Sequence, residues 1–303
     1  MRILISGNIH FTSGQKDIIS GCAEKITYHK NEIMPVANPE EYEYVICNNL
    51  FRHNDITKFR LLQAIQLTSA GIDEKLLTYT QKNNICLYNA ENVYSSPIAE
   101  HTVMQILNIY RNTRFSIKNQ ENRIWEKDRE LKELTEKRIC IVGFGNVGRE
   151  IAKRLDAFRC KIAAVNRTKT ECDDIKYYPL YRLQEAVREC DVLIIAIAET
   201  AETKGLIDKN IFDCMKPESI LVNVARGRIV NEKDLIYALC DRKISAAALD
   251  VFQKEPLDTK SALWGMPNVY ITPHSSFIGD KINDRLFDVI IANLKIVERG
   301  NGE

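Results

Sequence analysis

The stretch "ICIVGFGNVGREIAKRL", residues 139–155, constrains this chain more than any other. A predicted strand, Arg138 to Val142, apolar from Ile139 on, leads into three glycines, Gly143, Gly145 and Gly148, and a helical pattern begins at about Asn146. A strand, a glycine turn and a helix in that order form the phosphate-binding end of a βαβ unit. Gly143 permits the tight turn. Gly145 lets the backbone approach a pyrophosphate, and Gly148 lets helix and strand pack closely. Free N–H groups at the helix start then face the phosphates.

The next apolar run ends in "VNRT". Turns that take NAD usually end this strand in Asp or Glu, which binds the ribose 2′-hydroxyl. Here Asn166, Arg167 and Thr168 stand in its place, followed by Lys169. A carboxylate would repel a 2′-phosphate, whereas an amide beside a guanidinium accepts one. The expected coenzyme is NADP(H), with NAD(H) as the second choice.

The pattern around this turn is that of an α/β protein. "RILIS", "YVICNN", "AIQLTSA" and "ICLYNA" are spaced as parallel strands joined by crossovers. After the glycine turn come "KIAAVNR", "DVLIIAIA", "SILVNVA", "ISAAALDV" and "NVYITPH", apolar on both faces as buried parallel strands are. Between the two series, "SSPIAEHTVMQILNIYRNTRFSIKNQ" has a helical period and predicts one long helix, and the charged run "EKDRELKELTEKR" predicts a solvated connection. The last segment, "DRLFDVIIANLKIVERG", is helical in period and could return to the first series.

Composition narrows the function classes. Forty-two basic residues against forty-one acidic ones give a net charge of +1, so no long-range field favours nucleic acid or an anionic membrane. The longest apolar stretch, residues 192–198, is far short of a membrane span. Nine cysteines without a C-x-x-C pair predict reduced thiols and a cytoplasmic protein. No metal-ligand spacing joins them to the histidines, so no metal is expected.

Three further stretches carry chemistry: "NVARGRIV", "AALDVFQKEPL" and "NVYITPHSS". Each places an ionisable residue at or just after a predicted strand end, where open α/β sheets bind ligands. They are Arg226, Glu255 and His274.

With the glycine turn, these stretches resemble the D-isomer-specific 2-hydroxyacid dehydrogenase family, which includes phosphoglycerate dehydrogenases and glyoxylate/hydroxypyruvate reductases. "SAGID" (69–73), "SSPIAEHT" (95–102), "ETAETKGLID" (199–208) and "MKPESILVNVARG" (215–227) fall in the same order, in register from about residue 45 to 276. The resemblance implies two Rossmann-like or flavodoxin-like, doubly wound parallel-sheet domains with a cleft between them. Residues 1–95 and 277–303 would form the substrate domain, and 96–276 the dinucleotide-binding domain. The activity implied is hydride transfer between NAD(P)(H) and C2 of a 2-oxo or D-2-hydroxy acid.

The resemblance also implies roles. Arg226 would grip the substrate carboxylate and C2 oxygen, His274 would be the general acid–base, and Glu255 would hydrogen-bond His274. Asp250 would hold the nicotinamide carboxamide, with Val224, Ala225 and Ser276 lining the nicotinamide pocket. Asn146 and Val147 would present N–H groups to the pyrophosphate, and Ala70 and Gly71 to the substrate carboxylate. His101, in "IAEHT", has a structural place. The family implies a homodimer paired through the helix at residues 96–119.

Glu255 departs from formate dehydrogenases, which carry glutamine there. "CNNLF" replaces the arginine-bearing stretch with which phosphoglycerate dehydrogenases take the phosphate, although Arg52 and His53 lie close by. A small or medium 2-oxo acid without a phosphate is the expected substrate. The alternative from another class is a weakly catalytic nucleotide-sensing protein of the corepressor type.

Overall fold

The structure is a computed structural model that describes residues 1–7, 9, 11–168 and 175–300. The chain forms two compact units. One takes Met1–Tyr94 and the chain from Gly279 onward, the other Ser95–Ile278.

The first unit holds β1 (Arg2–Ser6), α1 (Ser13–Gly21), β2 (Lys25–His29), β3 (Tyr44–Cys47), β4 (Ala64–Leu67), α2 (Glu74–Lys82) and β5 (Cys86–Tyr88). The strands make a parallel sheet of order β2-β1-β3-β4-β5. Side chains alternate between faces, so each strand feeds two cores. Ile3, Ile5, Tyr44 and Ile46 pack on one side with Leu286, Phe287, Ile290 and Leu294 of the last helix, Ile282–Gly300. Leu4, Val45, Cys47, Ile65 and Leu67 pack on the other. Buried Gln66 ties the last helix down, accepting from Asn293 Nδ2 at 2.7 Å.

The second unit opens with α3 (Ser95–Tyr110) and α4 (Thr113–Asn122). The single long helix expected from periodicity is therefore two. The break falls at Asn112, whose φ of 42° is left-handed, a conformation that Asn tolerates and an α-helix does not. The run 126–137 is largely exposed coil, anchored by buried Leu134.

There follow β6 (Arg138–Val142), α5 (Asn146–Asp156), β7 (Lys161–Asn166), β8 (Lys176–Pro179), α6 (Leu183–Val187), β9 (Val192–Ile195), α7 (Lys209–Cys214), β10 (Ile220–Asn223), α8 (Glu232–Cys240), β11 (Ala246–Leu249) and β12 (Val269–Ile271). The sheet is parallel throughout, in the order β12-β11-β10-β9-β6-β7-β8. Ile139, Ile141, Ile194 and Val222 face a core shared with Ala99 and Ile106 of α3 and Ile151 and Leu155 of α5. Cys140, Val142, Leu193 and Leu221 face the opposite core with Phe212, Leu235 and Leu239. Two doubly wound parallel sheets are thus the architecture.

Candidate active site

The glycine turn lies where the larger sheet reverses its winding. β6 is flanked by β7 and β9, and open sheets bind ligands beyond the strand ends at such a switch point. Gly143 has φ +97°, and a Cβ on it would lie 2.4 Å from the backbone nitrogen of Ile197, just beyond β9. A Cβ on Gly148 would lie 2.3 Å from the Gly143 carbonyl oxygen. Both glycines are needed for the turn to close. At Gly145 a Cβ would meet nothing within 4 Å. The space beside it is open, and α5 begins there without a side-chain cap. Asn146, Val147 and Gly148 thus open a helix whose first N–H groups lack intrahelical acceptors, the donors a pyrophosphate requires. These residues fit a dinucleotide. Asn166 ends β7 half-buried, its carbonyl accepting from Tyr177 Oη at 3.0 Å. Arg167 and Thr168 follow, both exposed, while Lys169 lies outside the described residues.

The second constellation grows from three adjacent strands, β10, β11 and β12. Arg226 lies three residues beyond β10, Glu255 six beyond β11, and His274 three beyond β12. The structure brings His274 and Glu255 together: Nδ1 is 2.7 Å from Glu255 Oε2. The other carboxylate oxygen, Oε1, accepts from the Phe252 backbone N–H at 3.0 Å. The ring meets Phe277 edge-on at 5.9 Å. With Nδ1 committed, Nε2 is the atom left for a substrate. His274 itself has φ +50°, a left-handed backbone that costs energy in a non-glycine residue and persists only where its surroundings enforce it.

Asp250 supplies that enforcement. It is 1% exposed. Its Oδ1 accepts from Thr272 Oγ1 at 2.6 Å and from Ser275 N–H at 2.9 Å, and Oδ2 accepts from Ser276 N–H at 3.0 Å. Its backbone carbonyl accepts from His274 N–H at 2.8 Å. Burial pushes the Asp250 carboxyl up, but the bonds from Ser276, Thr272 and Ser275 outweigh it and hold the group below the usual aspartate range. His101 on α3 closes the cluster, with Nε2 3.3 Å from Thr272 Oγ1 and 4.0 Å from Asp250 Oδ1. Burial lowers the His101 pKa, and the Asp250 charge opposes that shift. So Asp250 fastens the turn that carries His274 and Ser276.

Arg226 is exposed, with Nη1 donating to the Ala225 carbonyl at 2.7 Å. Val224 and Ala225 before it are buried. Asn223 shapes the loop, donating from Nδ2 to the Arg226 carbonyl at 3.2 Å and accepting from Ala225 N–H at 3.1 Å. A Cβ on Gly227 would fall 1.9 Å from the Phe252 carbonyl carbon. The loop bearing Arg226 therefore packs directly on the loop bearing Glu255. Gly227, Asn223 and Thr272 were not singled out by sequence reasoning. The available signal was the glycine straight after Arg226, which marks a close backbone approach.

In the smaller unit, Ala70 and Gly71 occupy the exposed turn after β4. Their carbonyls accept from Asn89 Nδ2 at 2.7 Å and Ser69 Oγ at 2.9 Å. Arg52 pairs with Asp73 at 3.7 Å. Among the described residues no group of three His, Cys, Asp or Glu side chains could hold a metal. No described helix is long and apolar enough to cross a membrane.

Comparison with known proteins bears on this arrangement. Residues 103–276 match the model of the D-isomer specific 2-hydroxyacid dehydrogenase, NAD binding domain. The chain is 29% identical over 237 residues to a glyoxylate/hydroxypyruvate reductase of Arabidopsis thaliana, covering 77% of this chain and 72% of that protein. A glyoxylate reductase from Paecilomyes thermophila shares the fold with a TM-score of 0.84 at 21% identity, covering 98% of this chain and 95% of the other. A structure of an NADPH-dependent glyoxylate/hydroxypyruvate reductase from Sinorhizobium meliloti shares it with a TM-score of 0.80 at 24% identity, covering 97% and 93%. The glycine turn at the switch point and the family match over more than half its length lead to one assignment: this chain belongs to the D-isomer specific 2-hydroxyacid dehydrogenases, a family of NAD(P)-dependent oxidoreductases.

Proposed function

We propose that the chain reduces a small 2-oxo acid to the D-2-hydroxy acid, with His274 as general acid, Glu255 as its partner and Arg226 as the substrate clamp. The observation that carries this reading is the 2.7 Å bond between Glu255 Oε2 and His274 Nδ1. Bound nicotinamide supplies the hydride for C2. Arg226 offers a planar fork matched to a planar 2-oxo acid, a geometry lysine lacks. Glu255 accepts a hydrogen bond from Nδ1–H and fixes the ring, so Nε2 delivers its proton to the carbonyl oxygen and the neutral ring keeps its Nδ1 proton. In the oxidative direction Nε2 takes the hydroxyl proton back. The exposed N–H groups of Ala70 and Gly71 serve the substrate carboxylate. Val224, Ala225, Asp250 and Ser276 would hold the nicotinamide side, with Asp250 keeping the turn in shape. His274→Ala should lower kcat about 100-fold or more, with coenzyme affinity little changed. Near-normal turnover in that variant removes His274 from the chemistry.

The preferred coenzyme in this reading is NADP(H), on the ground that Asn166 and Arg167 replace the usual carboxylate. The protein acts as a homodimer in the cytoplasm. Support for the dimer comes from apolar side chains left in solvent around α4: Ile117, Ile124 and Trp125, the last 98% exposed. Such a patch is what an isologous interface covers. Support for a reducing compartment comes from the cysteines among the described residues, all of which are free thiols.

A further inference from the structure

In a sheet of order β2-β1-β3-β4-β5 the winding reverses between β1 and β3, and ligands bind at the carboxyl ends beside that reversal. Here that place holds the chain's own carboxylate. Glu32 Oε1 accepts from the N–H of Asn48, and Oε2 from the N–H of Asn49, each at 2.7 Å. Two successive amides directed at the two oxygens of one carboxylate make an anion seat. On the β1 side, Gly7 has φ +89°, and a Cβ on it would lie 3.3 Å from Glu32 Oε1.

The segment presenting Glu32 is fastened independently of the carboxylate. Asn54 Nδ2 donates to the Glu32 carbonyl at 3.0 Å and the Met34 carbonyl at 3.2 Å, and Asn54 Oδ1 accepts from Val36 N–H at 3.0 Å. His29 Nε2 lies 3.1 Å from the Met34 carbonyl. The charge acts inward as well: burial and then the Glu32 carboxylate push the Cys47 thiol pKa up.

We propose that Glu32 is a resident anion in the ligand seat between β1 and β3, and that it restricts the substrate to 2-oxo acids with a single anionic group. The substrate clause rests on the 2-oxo acid reading above, and the seat does not. β3 and β4 are neighbours with Cys47 opposite Leu67, so the seat beyond β3 and the turn carrying Ala70 and Gly71 beyond β4 lie at the same carboxyl edge of the sheet, on adjacent strands. In this proposal a 2-oxo acid with its carboxylate on those amides has its other end on the Glu32 side of that edge. A neutral tail is tolerated. A second carboxylate or a phosphate meets a like charge and finds the Asn48 and Asn49 amides taken, a penalty of roughly 10-fold or more in kcat/KM.

The test has a binding arm and a kinetic arm. In the first, inorganic phosphate is titrated into wild type and Glu32→Ala, with thermal stability as the readout and chloride at matched ionic strength as control. The variant should show saturable stabilisation with an apparent Kd at least tenfold lower than wild type, and an equal response of the two proteins overturns the seat. In the second, kcat/KM for oxaloacetate relative to pyruvate is measured in wild type, Glu32→Ala and Glu32→Gln. The Gln variant keeps the bulk and one acceptor oxygen, so it separates loss of charge from any loosening of the segment. The ratio should rise at least tenfold in both variants, and an unchanged ratio overturns the restriction. If wild type turns over neither of these nor glyoxylate or hydroxypyruvate, the 2-oxo acid reading and the substrate clause both fall; if it turns over only the latter two, the substrate clause alone falls; in either case the phosphate arm still decides the seat.

Discussion

Gly227→Ala is the sharpest structural perturbation of the proposed machinery, because it touches no reacting group. A Cβ at this position would lie 1.9 Å from the Phe252 carbonyl carbon, 2.1 Å from its oxygen and 2.4 Å from the Gln253 nitrogen. All three are backbone atoms, so no side-chain rotation relieves the clash. Ordinary contact begins near 3.4 Å, so the two loops must separate by about 1.5 Å. That movement reaches Glu255 directly, because its Oε1 is bound to Phe252 N–H and its Oε2 to His274 Nδ1. Misplacement of about 1 Å in a catalytic array costs about 100-fold in rate, and overpacking costs about 1–3 kcal/mol in stability. The assay is kcat and KM for a 2-oxo acid, with urea unfolding alongside and circular dichroism to confirm folding. A folded variant with kcat within a few-fold of wild type would refute the claim that contact between the two loops positions the acid.

Asp250→Asn should cost about 1–3 kcal/mol, since an amide cannot accept at both oxygens and leaves a buried N–H unpaired. Because the folded Asp250 pKa is depressed, its contribution is full above the unfolded value of about 3.9 and is lost as pH falls through the folded one. The stability gap between wild type and variant must therefore close in acid, and a gap that widens contradicts the assignment. Arg167→Ala should lower kcat/KM for NADPH about 10- to 100-fold and leave NADH nearly unchanged; equal loss with both coenzymes would sink the reading of "VNRT". Light scattering should give twice the chain mass for wild type, and Trp125→Ala should shift it towards monomer; a concentration-independent monomer in wild type rules the dimer out.

Most of the fold was legible because its strands are buried on both faces. "ICIV", "VLII" and "ILV" are unbroken apolar runs within β6, β9 and β10, and such runs have few alternatives. The strands that escaped notice are edge strands. β2 reads "KITYH" and β8 reads "KYYP", half-exposed sequences whose polar residues hide the period. α7, "KNIFDC", is too short to show one. The break at Asn112 carries neither glycine nor proline, and a left-handed Asn looks like any other helical Asn in sequence.

At the site, the glycines were readable because each has a distinct steric duty. The support of His274 was not. The Asp250–Thr272 bond joins residues 22 apart, across the carboxyl ends of two neighbouring strands, and no local pattern encodes it. The same holds for Glu32 on the Asn48 and Asn49 amides, a contact 16 and 17 residues apart that joins the segment after β2 to the end of β3.

The most direct measurement of the central claim is where the hydride goes. Purified protein is mixed with nicotinamide coenzyme carrying deuterium at the transferable C4 position and with a panel of small 2-oxo acids, and the products are read by mass spectrometry and proton NMR. The expected product is a D-2-hydroxy acid with one deuterium at C2, formed about 100-fold more slowly by His274→Ala. Tight coenzyme binding with no labelled product from any acid in the panel would contradict it and leave a nucleotide-binding protein without this chemistry.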